Sequence, residues 1–356
     1  MPTDHVPPPS RCERLADIAS RWGGSVEIAA NETRTDYALP AHVTEEVREF
    51  FSRVRSAVSG PDLVARIPGG RVAGSGIVLS PDGAGIARDV SLDFGQPDTG
   101  HWLLSRKSLR RPQLVSGTVA VIASTLASGY SHWLLDELPR LLALDPVDQA
   151  PQLIAHTKHE FSRTALALYG WKGGLIEPKW QAHRQCEQLI VPSLVGFVGR
   201  PTVRAARLLN AFVQPLHTGT SVYGERLYLS REATRRRRIT NESALWAELE
   251  SRGFVKLRLE EMPWREQINA FRQAKVIVAP HGAGLANLVF CRAGTRVVEL
   301  FNREYVNACF WRLAAVNDLD YRPLVPMGDV PLSDQPAGNR LDIEANIPAV
   351  LAALND

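Results

Sequence analysis

Between Arg226 and Phe301 the chain repeats one pattern: an unbroken apolar run, a stretch of helical periodicity, then another apolar run. The runs are "RLYLS", "FVKLRL", "KVIVA" and "TRVVELF", and "NESALWAELESRG" and "PWREQINAFRQA" separate the first three. A strand that returns through a helix lies parallel to its predecessor. A strand apolar along its whole length needs cover on both faces. Local signals agree: Thr240 or Asn241 suits an N-cap, Gly253 a stop and Pro263 a first turn. The pattern predicts a doubly wound α/β sheet, with a ligand site beyond the carboxyl ends of its strands.

The first half alternates in the same way. "GTVAVIAS", "PQLIAH", "GLIEP" and "QLIVPS" read as strands, "HWLLDELPRLLAL" and "EFSRTALALYG" as helices, and "RPTVRAARLLNAFVQPLH" as a helix closing this half. Ahead of them, "LVARIPGGRVAGSGIVLSPDGAGIARDVSLDF" has short runs punctuated by Gly and Asp-Gly, which predicts hairpins, with a turn at Pro81 to Gly85. We therefore expect an α/β domain over 1–217, whose first 60 or so residues are a polar lead-in with one amphipathic helix in "AHVTEEVREFFSRVRSAV". A linker at Thr218 to Glu225, a second Rossmann-like domain over 226–330 and a tail over 331–356 follow. In that tail Ile347, Val350, Leu351 and Leu354 fall at helical spacing, and we expect the helix to pack back on the first domain.

Composition narrows the function classes. With 356 residues, 45% of them hydrophobic, two cores can be buried. A net charge of +3 gives no general attraction to nucleic acid, so a basic site must be local. Cys12, Cys186, Cys291 and Cys309 are scattered without CxxC spacing, as suits reduced thiols rather than a disulfide framework or a zinc site. The proline-rich, charged beginning lacks the apolar stretch of a signal peptide, and no run of 18 apolar residues exists. A soluble cytoplasmic protein is expected, with peripheral attachment to the inner face of a membrane left open.

Three stretches carry chemistry. The first is "PHGAGLAN", Pro280 to Asn287, between a strand and a helix. Unpaired N–H groups and the positive dipole end of such a helix attract an anion. Gly282 and Gly284 let a diphosphate approach the backbone, His281 adds a donor and Asn287 lies about one turn on. The bland alternative is a simple turn with a satisfied loop histidine.

The second is "YLSREATRRRRITNE", in which Arg231 follows a strand end and Arg235 to Arg238 precede a helix cap. Guanidinium forks suit phosphate, whereas a solvated basic run is the alternative for most of the four. In the third, "GYSHWLLDELPRLLAL", His132, Asp136 and Arg140 fall at i, i+4 and i+8 as one polar stripe. A His beside an Asp suits general-base work, against the alternative of a surface stripe. Pro139 removes one helical hydrogen bond at a cost of about 3 kcal/mol, so a kink is expected at Leu138 to Pro139 and Arg140 need not align. Glu299, at the end of "TRVVEL", can accept from ribose hydroxyls or be solvated. "DLD" at Asp318 to Asp320 is too short to read as a metal site and is expected in a loop.

Taken in order, "GYSHWLLDELPRL", "YLSREATRRRRITNE", "EQINAFRQAKVIVAPHGAGLANLVF" and "VVELF" resemble glycosyltransferase family 61, which includes bacterial capsular-polysaccharide transferases and eukaryotic xylosyl- and N-acetylglucosaminyltransferases. The resemblance runs from approximately Leu63 to Leu324. It implies a GT-B architecture of two Rossmann-like doubly wound domains facing a cleft, with the nucleotide sugar on the C-terminal domain and the acceptor mainly on the N-terminal one. It also implies inverting transfer with no essential metal and no cofactor beyond the donor. The pattern carries over onto His132 and Asp136 as catalytic residues; Arg231, His281, Gly282, Gly284 and Asn287 as donor diphosphate-binding; and Glu299 as a ribose or base contact. Arg238 is assigned with Arg231, although the choice within Arg235 to Arg238 stays open, as does which of His132 and Asp136 is the base. The implied partners are a UDP-linked nucleotide sugar and an oligosaccharide or polysaccharide acceptor, with no nucleic acid. Two rival readings are a glycan-binding or assembly protein of the same fold without transfer, and a nucleic-acid binder using the arginine run.

Overall fold

The computed structural model describes residues 4–93, 96–144, 152–197, 199–216 and 222–355. It divides into two units: residues 1–33 with 58–197, and residues 34–57 with 198–356. Of the linker expected at Thr218 to Glu225, residues 218–221 lie outside the described residues. The division falls earlier in the chain. The helix Val203–Val213, expected to close the first half, belongs to the second unit, where Asn210 donates to the Val289 carbonyl at 2.8 Å and accepts from Arg272 at 3.1 Å.

In the first unit the parallel strands Gly174–Ile176, Gln152–Ile154, Gln113–Val121 and His183–Pro192 lie side by side. The sheet then continues antiparallel, because His183–Pro192 pairs with Asp62–Pro68 along one half and with Arg71–Ala73 along the other. Segments joined by turns rather than helices cannot run parallel, so the Gly-rich stretch builds hairpins. Its turn at Pro81 to Gly85 is fixed by Asp82, whose carboxylate accepts from Ala84 N–H at 3.0 Å. This unit is therefore a mixed sheet and not the doubly wound one expected. Its core joins Val119, Val121, Leu189 and Val191 to Leu15 and Ile18 of the helix Leu15–Arg21.

The second unit follows the doubly wound pattern. Its strands lie in the order Val255–Leu257, Arg226–Leu229, Val276–Pro280, Arg296–Leu300, Asp320–Leu324, all parallel. Strand order reverses between Arg226–Leu229 and Val276–Pro280, and the crevice beyond the carboxyl ends of that pair is where such sheets bind ligands. The helix Trp264–Gln273 buries Trp264, Gln267, Ile268 and Phe271, the spacing of one helical face.

Two expectations are corrected here. The C-terminal helix Ile347–Asn355 packs on the second unit, its Val350 and Leu354 in one core with Tyr228, Val278 and Val298. Its apolar face covers the sheet beside it rather than the first domain. The helix Glu45–Ser52, capped by Thr44, also leaves the lead-in to join this unit. Phe51 stacks on Trp311 with ring centroids 4.8 Å apart, Tyr37 meets the same indole edge-on, and Arg312 donates to the Val54 carbonyl at 3.1 Å. Fully burying a side chain such as Phe51 contributes roughly 1.5–3 kcal/mol. Among the described residues no helix is long and apolar enough to cross a membrane.

Candidate active site

In the second unit the chain leaves the strand Val276–Pro280 through His281 and Gly282 and enters a 3-10 helix, Ala283–Phe290, where a helix was expected. Its first internal bond runs from Leu285 N–H to the Gly282 carbonyl at 2.9 Å, so the Ala283 and Gly284 N–H groups precede the ladder. Gly282 is needed for space, because its backbone is extended. A Cβ there would collide with the guanidinium of Arg231, which leaves the neighbouring strand Arg226–Leu229. A Cβ at Gly284 would come within 2.7 Å of Leu259 Cδ1. The two glycines and Arg231 thus converge on the sheet's reversal point.

Arg231 donates to the Arg236 carbonyl at 3.2 Å, while its buried Nε has no partner. Burial first, and the Arg237 charge next, lower its pKa to about 10, which leaves it cationic at neutral pH. Arg237 is the arginine of the run that turns inward. Its backbone takes the left-handed value φ 54°, its guanidinium lies 5.5 Å from the Tyr305 ring centroid, and its Nη1 donates to Asn339. Burial lowers its pKa too, and its Nε is buried without a partner. Among the described residues neither Arg231 nor Arg237 is in a salt bridge. Two half-buried cations that repel each other, with orphan donors, make a place for an anion.

Arg238 is elsewhere. It grips Asp342 through Nε at 3.1 Å and Nη2 at 2.7 Å on the surface, so its guanidinium is already paired with a carboxylate, unlike that of Arg237. Glu299 is not at an open strand end either. It is fully buried, and Oε1 accepts from His281 Nδ1 and Oε2 from the Tyr321 hydroxyl, each at 2.5 Å. The Tyr321 hydroxyl is held protonated, its pKa raised by burial and by Glu299. His281 is accordingly a brace, with its ring against Phe301, Tyr305 and Phe310. Asn287 is buried as well and donates to Gln267 at 3.1 Å and to the Gly284 carbonyl at 3.2 Å, fastening the turn from behind. The "DLD" segment differs from its loop expectation, since Asp320 begins a strand and pairs with Arg296 and Arg322.

In the first unit the catalytic candidates sit beyond the carboxyl end of Gln113–Val121. His132 Nδ1 is 2.8 Å from Asp136 Oδ2; Asp136 is fully buried and the histidine side chain remains 23% exposed. The expected irregularity at Pro139 takes a specific form. Residues Trp133–Glu137 make a π-helical turn ahead of the α-helix Leu138–Leu142, which carries the proline in its first turn. One extra residue per turn moves the preceding carbonyl away from the pyrrolidine ring.

Arg140 leaves the expected stripe. It is fully buried and donates to the carbonyls of Pro192, Ile122 and Ala123 at 2.9–3.0 Å, tying the ends of two strands, while burial lowers its pKa to about 10. Glu137, which sequence reasoning passed over, is buried beside it. Its Oε1 accepts from Ser124 N–H at 2.7 Å and from His156 Nδ1 at 2.6 Å, and burial pushes its pKa up. A glutamate next to an aspartate inside an apolar helix was the one available signal.

Residues 130–298 match the family model described as Glycosyltransferase 61, the family that the four motifs resemble. The match contains His132, Asp136, Arg231, Arg237 and the Pro280 to Asn287 turn. A similar protein is the EGF domain-specific O-linked N-acetylglucosamine transferase of Drosophila melanogaster, 34% identical over 98 residues, which cover 27% of this chain. The matched stretch spans 18% of that relative's length.

Proposed function

We propose that the protein is an inverting glycosyltransferase whose doubly wound second unit holds the donor, moving a sugar from a nucleotide-diphosphate donor to a hydroxyl of a glycan acceptor in polysaccharide biosynthesis. The observation that carries this reading is the pair of half-buried arginines, Arg231 and Arg237, close enough to repel each other and in no salt bridge among the described residues, beside the reversal point of the parallel sheet. They hold the donor diphosphate together with the opening N–H groups of the 3-10 helix. As the bond from the anomeric carbon to the diphosphate oxygen breaks, negative charge grows on the leaving group, and the guanidinium groups stabilise it there.

His132 is the base and Asp136 its orienter. A buried carboxylate on Nδ1 fixes the imidazole with Nε2 as the proton acceptor and stabilises the imidazolium that forms. Nε2 takes the acceptor's hydroxyl proton while the oxygen attacks the anomeric carbon from the face opposite the leaving nucleotide. One displacement gives inversion. A UDP-linked donor, a capsular-type acceptor and cytoplasmic action at the membrane's inner face complete the proposal.

Thermal-shift screening of the whole chain against nucleotide sugars, followed by transfer assays on the hits with product anomers assigned by NMR, tests it. A stabilising donor whose sugar appears in the product with inverted configuration is the expected result. Retention of configuration, or no shift with any donor, overturns it.

A further inference from the structure

The first unit has a second concavity, of about 420 Å³, where the strand His183–Pro192 begins and the strands His5–Val6 and Leu109–Arg110 pair. His132 follows the opposite, carboxyl end of the neighbouring strand. A ten-residue strand spans about 30 Å at roughly 3.3 Å per residue, so this pocket is separate from the His132 site.

Its floor is aromatic. Trp180 stacks on Trp102 with centroids 4.8 Å apart and planes 8° from parallel, and the Arg106 guanidinium lies 5.2 and 5.6 Å from the two rings. Trp180 nevertheless keeps 55% of its surface exposed, a stiff apolar face turned to solvent. The rim is polar and ordered. Arg110 Nη2 donates to the Gln181 side chain at 2.6 Å, and the Arg110 carbonyl accepts from His183 Nδ1 at 2.7 Å. His183 is 5% exposed and its Nε2 is buried without a partner. Since Nδ1 carries the proton, Nε2 is an acceptor waiting for a donor such as a hydroxyl. Burial lowers the His183 pKa and keeps that nitrogen unprotonated. The lining contains two arginines and two histidines and no carboxylate.

We propose that this pocket binds an acidic oligosaccharide, with the apolar face of one sugar on Trp180, a uronate carboxylate on Arg106 and Arg110, and a ring hydroxyl donating to His183 Nε2. Indole faces suit the C–H faces of sugars, and arginine forks suit carboxylates. The pocket then holds a length of glycan away from its reacting end, a role that rests on the transferase reading, whereas the binding itself does not. Trp102, Arg106 and Arg110 precede the family-matched segment, whereas Trp180 and His183 lie within it.

Calorimetric titration of the full chain with tetragalacturonate and with a hyaluronan tetrasaccharide tests the proposal, with maltotetraose and a short single-stranded oligonucleotide as comparisons. At least one acidic oligosaccharide binds in preference to maltotetraose; Trp180→Ala weakens it about tenfold or more, and Trp180→Phe restores part of the loss. Arg106→Gln removes the preference for the acidic sugar. UDP titrated into the same samples binds equally to all variants. Absence of binding by both acidic sugars, equal affinity in Trp180→Ala, or preference for the oligonucleotide overturns the proposal. Loss of UDP binding with sugar binding retained counts against the transferase reading and leaves the pocket assignment standing.

Discussion

Gly282→Ala isolates the link between the turn and the arginine. Gly282 has φ 176°, extended backbone that alanine adopts, so the substitution adds no backbone strain. The added methyl falls on the guanidinium of Arg231, with Cζ at 2.9 Å and Cδ at 3.3 Å, and the side chain must move out. Protein stability changes little, because the bond surrendered is the 3.2 Å contact to the Arg236 carbonyl, worth about 0.5–1.5 kcal/mol. The diphosphate loses a charge-assisted contact worth about 1.5–3 kcal/mol, so UDP affinity falls roughly 10- to 100-fold. Arg231→Ala does the same, and the double variant is no worse than either single one, since both remove one interaction. Calorimetry with UDP and thermal unfolding of the four proteins provide the comparison. Wild-type affinity in Gly282→Ala, or losses that add in the double variant, refutes the reasoning.

Further outcomes follow from the same geometry. His132→Ala lowers transfer by about 10²- to 10⁴-fold while leaving UDP affinity intact; a variant that still transfers normally removes His132 as base. Arg237→Ala weakens UDP binding whereas Arg238→Ala does not, and the reverse ranking in a titration restores the assignment of Arg238. Glu299→Gln lowers the unfolding midpoint by weakening the His281 and Tyr321 contacts, about 1–3 kcal/mol, as denaturant titration reads. His101 accepts from Leu103 N–H at 3.1 Å, and burial holds its pKa down at about 4 against an ordinary 6.5. The unfolded chain therefore binds the proton first, so the His101 contribution is complete above pH 6.5 and is lost as pH falls toward 4. Denaturation midpoints at the two ends of that range drop less in His101→Asn, which keeps the cap without titrating; an equal drop contradicts the assignment.

What the chain reveals on reading depends on how local each determinant is. The parallel sheet of the second unit was legible because strand and helix periodicities are written within about ten residues of each other. Assignment of residues 34–57 to that unit was not, since Trp311 and Arg312 hold them across more than half the chain. Glu299 was misread for a related reason. Its carboxylate is met by Tyr321, on a strand that begins at the last residue of the "DLD" segment. The pairing of His132 with Asp136 follows from helical spacing alone, but Arg140 was turned inward by a π-helical turn that spacing does not announce. Within the arginine run, type could not choose a residue. The choice was made by the left-handed backbone at Arg237 and by Asp342 beyond Arg238.

Arg231 and Arg237 are proposed to form the donor's diphosphate site. Titrating UDP and other nucleoside diphosphates into the full chain by calorimetry tests it most directly. We expect one nucleotide per chain, bound more weakly as salt rises and lost in the Arg231→Ala, Arg237→Ala double variant. Binding that survives the double variant, or the absence of binding by every nucleoside diphosphate, would contradict the account.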